Sequence, residues 1–151
     1  MSGTSDVDVP ATIGIWTPLR MIGSGAVASV YVCKDKDGRQ AAVKWMNQSN
    51  VHLVARFRRE IESLKRLSHP GVTSFIDAGE AEGRPFLAME HIAGTDLRLF
   101  AEKLHKRPSA ERYSRCRAIG RALCEALEHI HGIGLVHRDV KPDNILIETA
   151  S

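Results

Sequence analysis

The feature that most constrains this chain is a change in the spacing of its apolar residues. From Trp16 to Val32 the run WTPLRMIGSGAVASVYV suits extended backbone, with β-branched and aromatic side chains interrupted by small ones. KDKDGRQ then places an Asp-Gly pair between two apolar runs, Val30–Cys33 and Ala41–Trp45, which is a hairpin signal. At Val51 the period switches. Val54, Phe57, Ile61 and Leu64 recur at three- and four-residue steps with Arg and Glu between them, predicting an amphipathic helix over 51–67 that ends at His69-Pro70-Gly71. Two short strands are expected at 73–78 and 85–90, and a linker at 92–95. Asp96 is placed to cap a short helix through Lys106. Pro108-Ser109 opens a long helix, with Cys116, Ile119, Leu123, Leu127 and Ile130 on one face and Gly132 and Gly134 closing it. Strands, helix, strands, then helices is the order of a segregated α+β fold rather than of βαβ alternation.

Composition narrows the classes. With 151 residues, 43% hydrophobic and 26% charged, the chain can bury one real core, which 5% aromatics lead one to expect to be aliphatic. A net charge of +3 is too mild to imply a polyanion partner. Arg56, Arg58, Arg59, Lys65 and Arg66 read as a solvated helix face, since no base-stacking aromatics accompany them, and no nucleic-acid partner is expected. Cys33, Cys116 and Cys124 show no CxxC spacing and read as reduced core thiols of a cytoplasmic chain. No apolar run approaches the roughly 20 residues of a membrane span. Residues 1–15 begin with the polar MSGTSDVDVP and are expected to form a flexible leader.

Gly23-Ser24-Gly25-Ala26-Val27-Ala28 is a glycine-rich turn with Ala in the third glycine place. By itself it fits a plain tight turn as well as a phosphate loop. A dinucleotide-binding βαβ unit needs a helix next, and SVYVC is poorly suited to open one. A strand–turn–strand lid remains, whose glycines let backbone amides approach phosphates closely. No GxxxxGK[ST] occurs. Ala41-Ala42-Val43-Lys44 then ends an apolar strand in lysine, a residue seldom buried without a partner. Lys44 either points to solvent at an edge or faces the glycine turn, in which case it needs a carboxylate. Glu60 borders the apolar helix face and Glu62 lies toward the polar side, so Glu60 is the better candidate.

The densest polar stretch is His137-Arg138-Asp139-Val140-Lys141-Pro142-Asp143-Asn144. Asp139 and Asn144 offer oxygens, Lys141 adds a cation between them, and Pro142 fixes a bend. Phosphoryl transfer calls for this set: a carboxylate near the attacking hydroxyl, a cation for the transferred group and a hard oxygen for Mg²⁺.

Taken together, these motifs resemble the eukaryotic-type protein kinase family, over about residues 16–151. GSGAVASV is similar to its glycine-rich loop, AAVK to its strand lysine, Glu60 to the helix C glutamate and HRDVKPDN to the catalytic loop. Lys141-Pro142 resembles the Ser/Thr-directed version. The resemblance implies a small lobe over 16–92, built of an antiparallel sheet plus helix C, and the first, incomplete part of a helical large lobe over 93–151. It implies ATP and Mg²⁺ as cofactors and protein Ser/Thr as substrate. By position, Gly23, Gly25 and Val30 would cover the ATP, and Ala42 and Leu146 would sandwich the adenine. Lys44 would touch the α/β-phosphates and pair with Glu60. Met89 falls at the gatekeeper place, Glu90 to Ile92 at the hinge, and Asp96 at a ribose-contacting acid. Asp139 would accept the substrate proton, Lys141 would steady the γ-phosphate and Asn144 would hold Mg²⁺. His137 would pack in the lobe's spine and Arg138 would meet a phosphorylated loop.

Two departures matter. Ala28 in the third glycine place implies a slightly stiffer lid. No Asp-Phe-Gly follows ILIETAS. The sequence therefore reads as a kinase fragment with little or no activity alone, whose apolar α-helical face around Leu123, Leu127 and Ile130 calls for a covering partner. The alternative reading is a non-catalytic nucleotide-binding or scaffold module docking through that open face. Retention of Lys44, Asp139 and Asn144 favours the first.

Overall fold

The structure, a computed structural model, describes residues 9–148. They divide into two compact units, one running to Arg66 and including Ser74–His91, the other formed by Leu67–Thr73 and the chain from Ile92 onward. No helix among the described residues is long and apolar enough to cross a membrane.

The first unit is built on strands β1 (Thr17–Ser24), β2 (Ala28–Lys34) and β3 (Gln40–Met46), helix α1 (Val51–Lys65), and strands β4 (Phe75–Ala81) and β5 (Arg84–Glu90). The strands form one antiparallel sheet in the order β1-β2-β3-β5-β4. The Asp-Gly signal does close the β2–β3 hairpin. The Asp35 carboxylate accepts the Asp37 and Arg39 amides at 2.9 Å each, and Gly38 supplies φ +81°. The β4–β5 hairpin turns on Glu82-Gly83, both at positive φ (52° and 69°), the twist that two-residue hairpin loops favour.

Register decides what each face carries, because directly opposed residues share a side of the sheet. Gly23, Val30, Lys44 and Leu87 form one cross-strand row, and Val32, Ala42 and Met89 form the next row on the same side. On that side α1 packs Phe57 and Ile61 against Met46 and Leu87. Each such buried side chain contributes about 1.5–3 kcal/mol. The Asn50 side chain caps α1, accepting the His52 and Leu53 amides at 3.0 and 3.3 Å. The opposite side holds Tyr31, Cys33, Ala41, Val43, Trp45, Phe86 and Ala88, packed with Ile13 and Trp16.

That last contact corrects the expected leader. Residues 1–8 lie outside the described residues, but Ile13 is fully buried and Trp16 nearly so, joined by mutual backbone hydrogen bonds of 2.8 and 3.0 Å. Ile13, inside the expected leader, is therefore core like Trp16, because the outer sheet face is apolar and needs cover, while Gly14 and Ile15 between them are exposed.

The second unit contains β6 (Gly94–Asp96), α2 (Leu97–Leu104), α3 (Ser109–Gly132), a 3-10 turn (Pro142–Asn144) and β7 (Leu146–Glu148). The expected linker at 92–95 is half strand, since β6 pairs antiparallel with β7. Gly94 is required there: a Cβ would collide with the Ile147 carbonyl. Asp96 caps α2 as expected, accepting the Leu99 amide at 2.8 Å. On α3 only Ala126 and Ile130 are buried, so Cys116 and Cys124 are exposed rather than core thiols. Cys33 is the buried one, and desolvation pushes its thiol up to about 12.

Candidate active site

In the first unit, Lys44 Nζ lies 2.6 Å from Glu60 Oε1 and 5.4 Å from the centre of the Phe57 ring. The two acids of α1 separate cleanly. Glu60 reaches back to the sheet, while Glu62 pairs with Lys65 at 2.8 Å. Both partners of the Lys44–Glu60 pair are partly open to solvent, so the pair itself adds at most about 1 kcal/mol to stability. Val30, Ala42 and Met89 share the sheet face of Lys44, and Gly23 lies in its row. Glu90 does not offer a free carboxylate: Oε2 accepts the Ser74 amide at 3.2 Å and the Ser74 hydroxyl at 3.1 Å.

The glycine turn joins β1 to β2. Gly23 and Gly25 are not among the residues with positive φ, and a Cβ at either would meet only ordinary contacts of 3.8 and 3.6 Å. Nothing inside the fold demands glycine at these places. Gly79 is the contrast, since its Cβ would sit 2.9 Å from the Phe86 ring.

In the second unit, the 3-10 turn brings Asn144 back onto Asp139. Asn144 Nδ2 donates to the Asp139 carbonyl and to Oδ2, each at 2.8 Å. Lys141 Nζ stands 3.1 Å from the same Oδ2. These donors, Lys141 first and Asn144 second, hold the Asp139 carboxyl below the usual carboxylate range. Because both hydrogen bonds use the amide nitrogen of Asn144, its Oδ1 is the hard oxygen left for a cation. Arg138 adopts φ +63°, a left-handed conformation that costs a non-glycine residue about 1–3 kcal/mol, immediately before Asp139. His137 is exposed and its Nδ1 accepts the Asp139 amide at 3.3 Å, so the spine packing implied for it is absent among the described residues. The β6–β7 ribbon sets Asp96 opposite Leu146, and Arg98 Nε reaches Asp143 Oδ1 at 3.4 Å. The Asp96 carboxylate is engaged as the α2 cap, and Ile92 is half-buried.

The protein kinase domain family matches residues 16–151. The chain belongs to that family. It is 35% identical over 134 residues to a probable serine/threonine-protein kinase of Corynebacterium efficiens, a match covering 83% of this chain and 20% of that protein. It is 32% identical over 142 residues to the serine/threonine-protein kinase PrkC of Bacillus subtilis, covering 89% of this chain and 21% of that one. The chain thus spans about a fifth of the length of these relatives. Among solved structures it resembles the Mycobacterium tuberculosis PknI kinase domain, with TM-score 0.72, 30% identity, and coverage of 89% of this chain and 55% of that one. It also resembles Rad53 1-466 in complex with AMP-PNP, with TM-score 0.74, 30% identity, and coverage of 89% and 35%.

In this protein kinase chain, sequence reasoning missed three side chains at the glycine turn. Asn47 Nδ2 donates to the Gly25 carbonyl at 2.7 Å, Gln48 Nε2 to the Ala26 carbonyl at 3.2 Å, and the Ser29 hydroxyl to Asn47 Oδ1 at 2.9 Å. The one available signal was a run of amide side chains just past an apolar strand, which carries no period.

Proposed function

We propose that the chain carries the ATP-binding and catalytic-loop portion of a protein serine/threonine kinase. The reaction is transfer of the ATP γ-phosphoryl group to a Ser or Thr hydroxyl of a protein. A bond forms between the substrate oxygen and the γ-phosphorus, the bridging bond to the β-phosphate breaks, and ADP leaves. Asp139 orients the hydroxyl and takes its proton. The observation that carries this reading is the geometry at Asp139, whose Oδ2 is met by Lys141 Nζ at 3.1 Å and by Asn144 Nδ2 at 2.8 Å. A base for this step must be unprotonated near neutral pH.

Lys44, fixed by Glu60, contacts the α/β-phosphates. Gly23, Gly25 and Val30 cover the nucleotide, and their lack of any internal reason to be glycine at 23 and 25 supports a surface left bare for phosphate. Ala42, Met89, Glu90, Ile92, Asp96 and Leu146 contribute to the adenosine site, Glu90 and Ile92 through backbone groups. Lys141 steadies the γ-phosphate. Asn144 Oδ1 fits one ligand place of Mg²⁺, which when bound neutralises charge on the phosphates. The relatives' names and the AMP-PNP held by Rad53 support the same assignment. The reduced thiols fit a cytoplasmic location.

Titration of the purified chain with ATP tests this reading. Binding is expected, and K44M is expected to weaken it at least tenfold while lowering stability by no more than about 1 kcal/mol. ATP affinity indifferent to K44M would contradict it. Residues 1–151 alone are expected to phosphorylate a generic Ser/Thr substrate only at background.

A further inference from the structure

Two consecutive residues hold the whole outer edge of the glycine turn. Asn47 follows directly on β3. Its backbone amide donates to the Val27 carbonyl at 2.8 Å and its Nδ2 donates to the Gly25 carbonyl at 2.7 Å. Gln48 Nε2 takes the Ala26 carbonyl at 3.2 Å. The carbonyls of three successive turn residues are therefore engaged from one side. The Asn47 amide is itself oriented: Oδ1 accepts the hydroxyl of Ser29, a buried side chain only 4% exposed. The Ser29 oxygen also lies 3.5 Å from that of Ser24 across the β1–β2 pair.

Carbonyl direction fixes amide direction. In a trans peptide the C=O and the following N–H point opposite ways, and no cis peptide occurs among the described residues. With the carbonyls of Gly25, Ala26 and Val27 drawn toward Asn47 and Gln48, the amides of Ala26, Val27 and Ala28 face the other way.

We propose that Asn47 is a positioning residue for the phosphate lid, holding the turn so that these three amides are presented together to the phosphates of the bound nucleotide. The inference rests on the nucleotide reading given above. It explains how a turn without Cβ at 23 and 25 avoids the entropic penalty of ordering at the moment of binding. Ser29 acts one step back, by fixing which way the Asn47 amide is flipped.

The test uses the full chain and four measurements: amide hydrogen exchange over residues 24–29, thermal stability, ATP affinity and adenosine affinity. Asn47→Ala is expected to speed exchange in the turn. It should weaken ATP binding about five- to tenfold, the loss of one to two hydrogen bonds. Adenosine, which has no phosphate, should bind as before. N47D keeps the acceptor for Ser29 but loses the donor to Gly25, so it should behave like N47A. S29A should give a smaller loss in the same direction. If ATP and adenosine affinities fall together, or ATP affinity is unmoved while turn exchange rises, the proposal is overturned and Asn47 is only structural. If the unaltered chain binds neither ligand, the nucleotide reading itself fails. The exchange arm then still decides whether Asn47 holds the turn.

Discussion

At Asp139 the neighbouring donors set the charge, and single substitutions should report it. The carboxyl is held low by Lys141 and Asn144, so its contribution is present at neutral pH and is lost only as pH falls below the usual carboxylate range. N144A removes one donor and should move the Asp139 midpoint upward, toward the ordinary value. Carboxyl-carbon NMR titration reads this directly, and an unmoved midpoint would show that Asn144 does not tune the acid. Two glycines offer a second contrast. G79A forces a Cβ against the Phe86 ring and should cost about 1–3 kcal/mol in denaturant unfolding. G25A meets only an ordinary contact with the Ala28 carbonyl and should leave stability within about 0.5 kcal/mol, while weakening ATP binding. The catalytic-loop set was legible in the sequence because its chemistry sits in eight consecutive residues. Asn47 was not, because its partners at 25, 27 and 29 are brought to it only by hairpin register.

Among the elements, those with a strong period or a strong punctuation mark were legible. Helix α1 keeps its stripe from Val54 to Leu64, and Asp-Gly closes the β2–β3 hairpin. What escaped was tertiary pairing. A three-residue strand such as β6 has no period to read, and it exists only because β7 lies beside it. Ile13 was read as part of a loose leader because of the polar residues before it, yet the outer sheet face draws it under cover beside Trp16. I13A should therefore cost about 2–5 kcal/mol in chemical denaturation. V51A, at a side chain 78% exposed, should change stability by less than about 0.5 kcal/mol. Equal, small effects at both positions would return Ile13 to the leader. On helix α3 the apolar stripe is covered only in part: Ile119, Leu123 and Leu127 are half-buried, and Ala126 and Ile130 are buried.

For the molecule as a whole, the account turns on one division of labour. One face of the five-stranded sheet is closed by Ile13, Trp16 and their neighbours, and it serves stability. The other is shared between the α1 contact and the two rows that carry Val30 with Lys44 and Ala42 with Met89. Strand alternation makes this division readable at the level of single methyl groups. The most direct measurement is therefore methyl NMR of the labelled chain during an ATP titration. Saturable shifts are expected at Val30, Ala42 and Met89, with Ala41, Val43 and Ala88 on the closed face little changed. No shifts at the first set, or shifts concentrated on the second, would contradict the assignment of this sheet face to nucleotide binding.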